Sequence, residues 1–218
     1  AAIFVTEELQ DVRKFKNRKK ESELIPCAAH EEFFFFDKIL REKTRQQLGY
    51  SRANTVFVYS GSLARYQCFP EVTKLFVSLS EINPDYRLLV LTPFKEAALQ
   101  ALKSLSKDKY EIKTCTLLQI NAYLNAADIG FLIREPMKTN WVASPTKFAE
   151  YVLTGLQILT TDAIPYVYRA ALEGEALIKN PRDISLCTTE ERTALARRFS
   201  DSLGRKNFIE NYRRLYEV

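Results

Sequence analysis

Residues 144–162, Ser144-Pro-Thr-Lys-Phe-Ala-Glu150-Tyr-Val-Leu-Thr-Gly155-Leu-Gln-Ile-Leu-Thr-Thr-Asp162, decide how the rest of the chain is read. Ser144 is a good helix N-cap, and Pro145 at the first helical position forfeits no hydrogen bond, because that N–H has no intrahelical partner. Gly155 supplies the left-handed residue that ends such a helix, so a helix is predicted over Pro145–Thr154. The free N–H groups of Ser144 to Lys147, aligned with the helix dipole, make an anion site. Lys147 adds a cation to it. Glu150 lies one turn further in, where its carboxylate can accept two hydrogen bonds from a diol such as a ribose. On local physics alone the same residues are better read as an ordinary capped helix between two strands, since Ser-Pro starts are common.

Working outward, short apolar runs alternate with amphipathic segments. Strands are predicted at Thr55–Ser60, Tyr86–Leu91, Tyr110–Leu117, Ile129–Ile133 and Leu156–Thr160, with a last short one at Ala176–Lys179. Helices fall between them at Pro70–Leu79, Phe94–Leu105, Ile120–Ala127 and Ile164–Leu172. Continuously apolar strands alternating with helices define an α/β fold, a Rossmann-like parallel sheet with helices on both faces. Ligands in such sheets bind at the carboxyl ends of the strands. The ends depart from the pattern. Ala1–Leu24 reads as a strand followed by a basic helix or loop, and Glu23–Pro26 as another short strand. Thr189–Phe199 and Arg205–Tyr216 read as terminal helices. The expected division is 1–50 as the remnant of a preceding domain plus linker, 51–202 as the sheet domain, and 203–218 as a final crossover helix.

With 218 residues, 46% hydrophobic and 27% charged, the chain has the composition of a globular protein. The N-terminal residue is Ala1 and the one methionine is Met137, which reads as a piece of a longer product. No targeting signal is visible, so a cytoplasmic location is expected. Cys27, Cys68, Cys115 and Cys187 have no metal-ligand spacing and there is one histidine, His30, so no metal site and reduced thiols are expected. Six of the eight residues from Arg13 to Lys20 are basic. They read as a solvated face or as a patch for phosphates or an anionic membrane, with peripheral contact to an inner membrane as the second possibility. The aromatics cluster at Phe33–Phe36 and are not interleaved with the basic residues, which argues against nucleic acid as a partner.

The stretch from Ser144 resembles the donor-binding signature of family 4 (group 1) glycosyltransferases, enzymes of the two-domain GT-B fold. That signature runs S-P-T-K, a hydrophobic residue, x, E-Y, then G-x-P; Gln157 stands where proline is usual. The resemblance implies that Glu150 binds the nucleotide ribose and that Ser144, Thr146 and Lys147 lie along the diphosphate and sugar. Val58-Tyr-Ser-Gly61-Ser62-Leu63 resembles the family's first strand and its glycine loop, whose amides approach the diphosphate. The family often carries arginine right after that glycine and lysine five residues later. Here those positions are Ser62 and Gln67, and Arg65 is the candidate to replace the missing charge. A further glutamate that contacts the donor sugar in many relatives corresponds to Val142. Ala126-Ala-Asp-Ile-Gly130 matches a structural segment, Thr116–Leu118 falls where a base-binding loop follows a strand, and Ile25-Pro26-Cys27 resembles the segment ending the N-terminal domain. Tyr212–Tyr216 resembles the helix that crosses back onto that domain.

The resemblance implies a nucleoside-diphosphate sugar as donor substrate, transfer with retention, and no cofactor or metal. It also implies a missing N-terminal acceptor domain as partner. The donor site is expected at Glu150, Lys147, Thr146, Ser144, Gly61, Ser62, Arg65 and Leu118. Two other readings stand beside it: a GT-B-type nucleotide-sugar epimerase, which a single histidine supports poorly, and a non-catalytic interaction module that keeps the fold without binding nucleotide.

Overall fold

The computed structural model of the protein describes residues 2–12 and 22–216. The basic run Arg13–Lys20, and with it the proposed anionic-surface patch, lies outside the described residues. The chain opens with β1 (Ala2–Phe4), α1 (Glu7–Val12), β2 (Ser22–Leu24) and α2 (Lys38–Gln47). The sheet domain follows as β3 (Thr55–Ser60), α3 (Phe69–Ile82), β4 (Tyr86–Leu91), α4 (Lys95–Ala101), β5 (Tyr110–Lys113), α5 (Leu117–Ala126) and β6 (Ile129–Leu132). It continues with α6 (Lys138–Trp141), α7 (Thr146–Leu153), β7 (Gln157–Thr160) and α8 (Pro165–Glu173). α9 (Thr189–Leu203) and α10 (Ile209–Tyr216) close the chain, joined by a 3₁₀ turn over Arg205–Phe208.

β3 to β7 form one five-stranded sheet in the order β5-β4-β3-β6-β7, parallel throughout. Leu177 extends it by a single parallel bridge to Ile158, where the sequence predicts a sixth short strand. The strands read as unbroken apolar runs because both faces are covered. Phe57, Tyr59, Leu88, Val90 and Phe131 pack against α3 and α4. Val56, Val58, Leu89, Leu132 and Ile158 point the other way, onto α5, α7, α8 and α9. Alternate residues of one strand thus feed two separate cores, as the period of two requires. The chain leaves β3 toward β4 and returns on the far side through β6, so the topological switch point lies between β3 and β6. That is where open α/β sheets place their ligand crevice.

β1 and β2 form a separate parallel pair, with Ala2 opposite Ser22 and Phe4 opposite Leu24. The segment that follows is tied firmly to the sheet domain. Asp128 accepts from Arg41 at 2.5 Å, from Arg45 at 3.2 Å and from the Val56 N–H at 2.8 Å. Arg192 of α9, 5% exposed, donates to the carbonyls of Leu124, Asn125 and Thr154, and lies over the Phe36 ring. Burial pushes its guanidinium down to about 9, with Asp128 pulling the other way. The position of Phe33–Phe36 follows from this: Phe34 enters the core beneath α5 and α9, while Phe36 floors Arg192. Among the described residues no helix is long and apolar enough to cross a membrane.

Candidate donor-binding site

The site is built from two close approaches across the switch point. Gly130 in β6 lets Tyr151 of α7 lie flat on the strand; a Cβ there would sit 2.7 Å from Tyr151 Cε2. The Tyr151 hydroxyl reaches the end of β3 and accepts from the Ser60 N–H at 2.9 Å. This pins the start of α7 over the carboxyl ends of β3 and β6. The second approach follows from the first. Lys147, one turn before Tyr151, extends to Gly61, where a Cβ would fall 2.6 Å from its Cε.

Around that contact three polar side chains meet. Gln67, buried, presents its Oε1 to the Lys147 ammonium at 3.4 Å and to Nη2 of Arg134 at 2.9 Å. Arg134 enters from the loop after β6, where its own backbone is held by the Thr161 hydroxyl at 2.7 Å. Its Nη1 donates to the carbonyls of Ile133 and Gln67. Glu150 stands three residues after Lys147, hence on the same face of α7. Burial pushes the Glu150 carboxyl up, and the neighbouring Lys147 opposes that rise. Lys147 is itself held down by burial and by Arg134, with Glu150 pulling the other way. The result is a part-buried cluster of two cations, one carboxylate and the start of α7.

The remaining predicted residues are placed differently. Ser144 does not cap α7. Its Oγ accepts from the Cys27 N–H at 2.9 Å, and the capping position falls on Pro145, which is extended and has no side-chain cap. A tertiary contact has taken the hydroxyl that local geometry would have used. Thr146 is exposed on the other side of the helix start and lines a cavity of about 250 Å³ with Ile3, Cys27, Arg205 and Tyr212. Ser62 holds the glycine loop, its carbonyl accepting from the Tyr59 hydroxyl at 2.5 Å. Arg65 lies exposed on a 3₁₀ turn over Arg65–Gln67 and is not one of the groups that meet at Gln67. Leu118 is 77% exposed. It belongs to the first turn of α5, not to the loop expected over Thr116–Leu118, because Thr116 forms a capping box with Gln119. Arg134 was missed by sequence reasoning; it follows an apolar strand in no motif, and only the unusual placement of arginine at a strand's carboxyl end could have flagged it.

A cavity of about 940 Å³ opens at the connection after β6, lined by Leu9, Met137, Trp141, Val142, Asp162 and Ala163 among others. Cys68, Glu71 and Glu135 bring metal-type ligand atoms within 4.8 Å of one another next to Gln67. Burial pushes the Cys68 thiol up, away from the thiolate that a soft metal needs.

The five-stranded parallel sheet flanked by helices is the fold of the C-terminal domain of GT-B glycosyltransferases. No family model matches the chain and no curated protein matches it in sequence. Among solved structures it superposes on WaaG, a glycosyltransferase involved in lipopolysaccharide biosynthesis, with a TM-score of 0.62 at 15% identity. It superposes on HepE of Anabaena, solved with UDP-glucose, with a TM-score of 0.65 at 12% identity. In both cases 99% of this chain is covered, against 58% of WaaG and 63% of HepE, so the chain spans less than two thirds of either structure. The C-terminal domain of LpcC, a group 1 family glycosyltransferase from Francisella tularensis, is matched over 98% of its length, with a TM-score of 0.50 at 13% identity.

Proposed function

We propose that this chain is the donor-binding half of a group 1, family 4 glycosyltransferase and takes a nucleoside-diphosphate sugar. The observation that carries this is the convergence of Lys147, Gly61 and the start of α7 at the switch point, with Glu150 on the same helix face. A diphosphate there meets exposed N–H groups, a helix dipole and cations, while a ribose reaches Glu150. HepE, of the same fold, was solved with UDP-glucose, which supports the reading. The sugar would extend toward the cavity at Trp141 and Val142. Transfer with retention is inferred from the family resemblance. The leaving diphosphate would be stabilised by fixed dipoles and side-chain cations, without a metal ion. An acceptor-binding half would lie outside this chain, which spans 58% of WaaG and 63% of HepE.

A panel of nucleoside diphosphates in a thermal-shift experiment tests the reading. A true ligand at 100 times its dissociation constant raises stability by about 2.7 kcal/mol. No shift with any member of the panel at millimolar concentration would refute it.

A further inference from the structure

We infer that Arg134 is a diphosphate-binding residue of this site, and that the Gln67 amide oxygen stands where a phosphoryl oxygen meets the same two cations. The inference rests on the donor-site reading above and assigns it a residue that the resemblance does not supply. In the resemblance the cations follow the glycine loop, at positions that are Ser62 and Gln67 here. In the structure the guanidinium arrives from a different strand, two residues past the end of β6.

Four observations carry the assignment. Arg134 is only 6% exposed, which for a guanidinium calls for a compensating charge. Among the described residues it forms no ion pair, although Arg41, Arg45, Arg169, Arg192, Arg198, Arg213 and Arg214 all do. Its acceptors are neutral: the Ile133 carbonyl at 2.7 Å, the Gln67 carbonyl at 3.3 Å and the Gln67 side-chain oxygen at 2.9 Å. These contacts occupy both Nη1 protons and one on Nη2, leaving Nε–H and the second Nη2–H for a ligand. Finally, Lys147 donates to the same Gln67 oxygen, so two cations converge on a single uncharged acceptor. Two cations share one neutral oxygen, and the one carboxylate beside them, Glu150, acts on Lys147, so the Arg134 guanidinium is left short of negative charge. A diphosphate at the carboxyl ends of β3 and β6 would supply it, with the arginine fork matched to two phosphoryl oxygens.

The test uses the full chain with UDP, GDP and ADP, each beside its own nucleoside, in titration calorimetry. Arg134→Gln is expected to weaken the diphosphate that binds by at least tenfold and to leave the weaker affinity for the nucleoside unchanged. A second variant guards against loss of folding. Gln67→Glu places a carboxylate between the two cations, so it should raise the melting temperature while weakening diphosphate binding at least tenfold. Wild-type affinity for the diphosphate in either folded variant overturns the assignment. A wild-type chain that binds none of the three nucleotides overturns the donor reading itself, and the assignment falls with it.

Discussion

The ammonium of Lys147 fills the space that a side chain on Gly61 would need, so the loop after β3 and the start of α7 are fitted to each other atom against atom. Residue 61 has φ +143°, a conformation open to glycine and strained for other residues. Gly61→Ala therefore acts twice. It should cost about 1–3 kcal/mol of stability through backbone strain, read by urea denaturation. It should also displace the lysine and weaken nucleoside-diphosphate binding at least tenfold. A variant with wild-type affinity would show that Lys147 in its present position is not part of the site.

Glu150 gives a signed pH dependence. Its carboxyl is held above the ordinary value of 4.5 by burial, against the pull of Lys147. An acid with a raised folded pKa binds more protons folded than unfolded, so its contribution to stability falls as pH rises through the window above 4.5. Glu150→Gln removes that dependence. The melting temperature of the variant relative to wild type should rise between pH 4 and pH 7. A constant difference, or a fall, would mean that the carboxylate is not disfavoured by its surroundings.

Gly155 closes α7 with φ +71° and a Schellman pair, its own N–H on the Val152 carbonyl at 3.0 Å and the Leu156 N–H on Tyr151 at 3.0 Å. A Cβ would lie 2.7 Å from the Arg192 carbonyl oxygen, which is backbone and cannot swing aside. Gly155→Ala is expected to lose at least about 2 kcal/mol by denaturant titration, from the left-handed backbone and the clash together. A loss below about 0.5 kcal/mol would show that α9 can retreat from the helix end.

Ser144 makes a similar case for the linker. Its hydroxyl holds the Cys27 N–H, so Ser144→Ala leaves that part-buried donor without a partner and should cost about 1–3 kcal/mol. The loss should appear as faster amide exchange at residues 25–28, with the first turn of α7 unaffected. Exchange confined to residues 146–149 would restore Ser144 as a helix cap.

The strands were legible because Thr55–Ser60 and Tyr86–Leu91 are apolar at every position that two covered faces demand. Gly155 was legible because a glycine after an amphipathic run has one common use. The start of α7 was misread at Ser144 because a local rule cannot see a donor 117 positions away in sequence. α5 begins earlier than the helix expected from Ile120, since Leu117 reads as strand and Leu118 as loop until Thr116 and Gln119 are recognised as a capping box. α2 escaped notice because its Arg41 and Arg45 look like surface charge until Asp128 is placed beneath them. The ordered motif placed Lys147 and Glu150 on one helix face. Arg134 was invisible because its role depends on Gln67, which comes from another strand–helix connection.

The most direct test of the central claim is the dissociation constant of the nucleoside diphosphate for Glu150→Ala against wild type, by calorimetry at pH 7. If the carboxylate grips the ribose, the variant binds more weakly by about 1.5–3 kcal/mol, roughly 10- to 150-fold. Equal dissociation constants in two folded proteins would contradict the account.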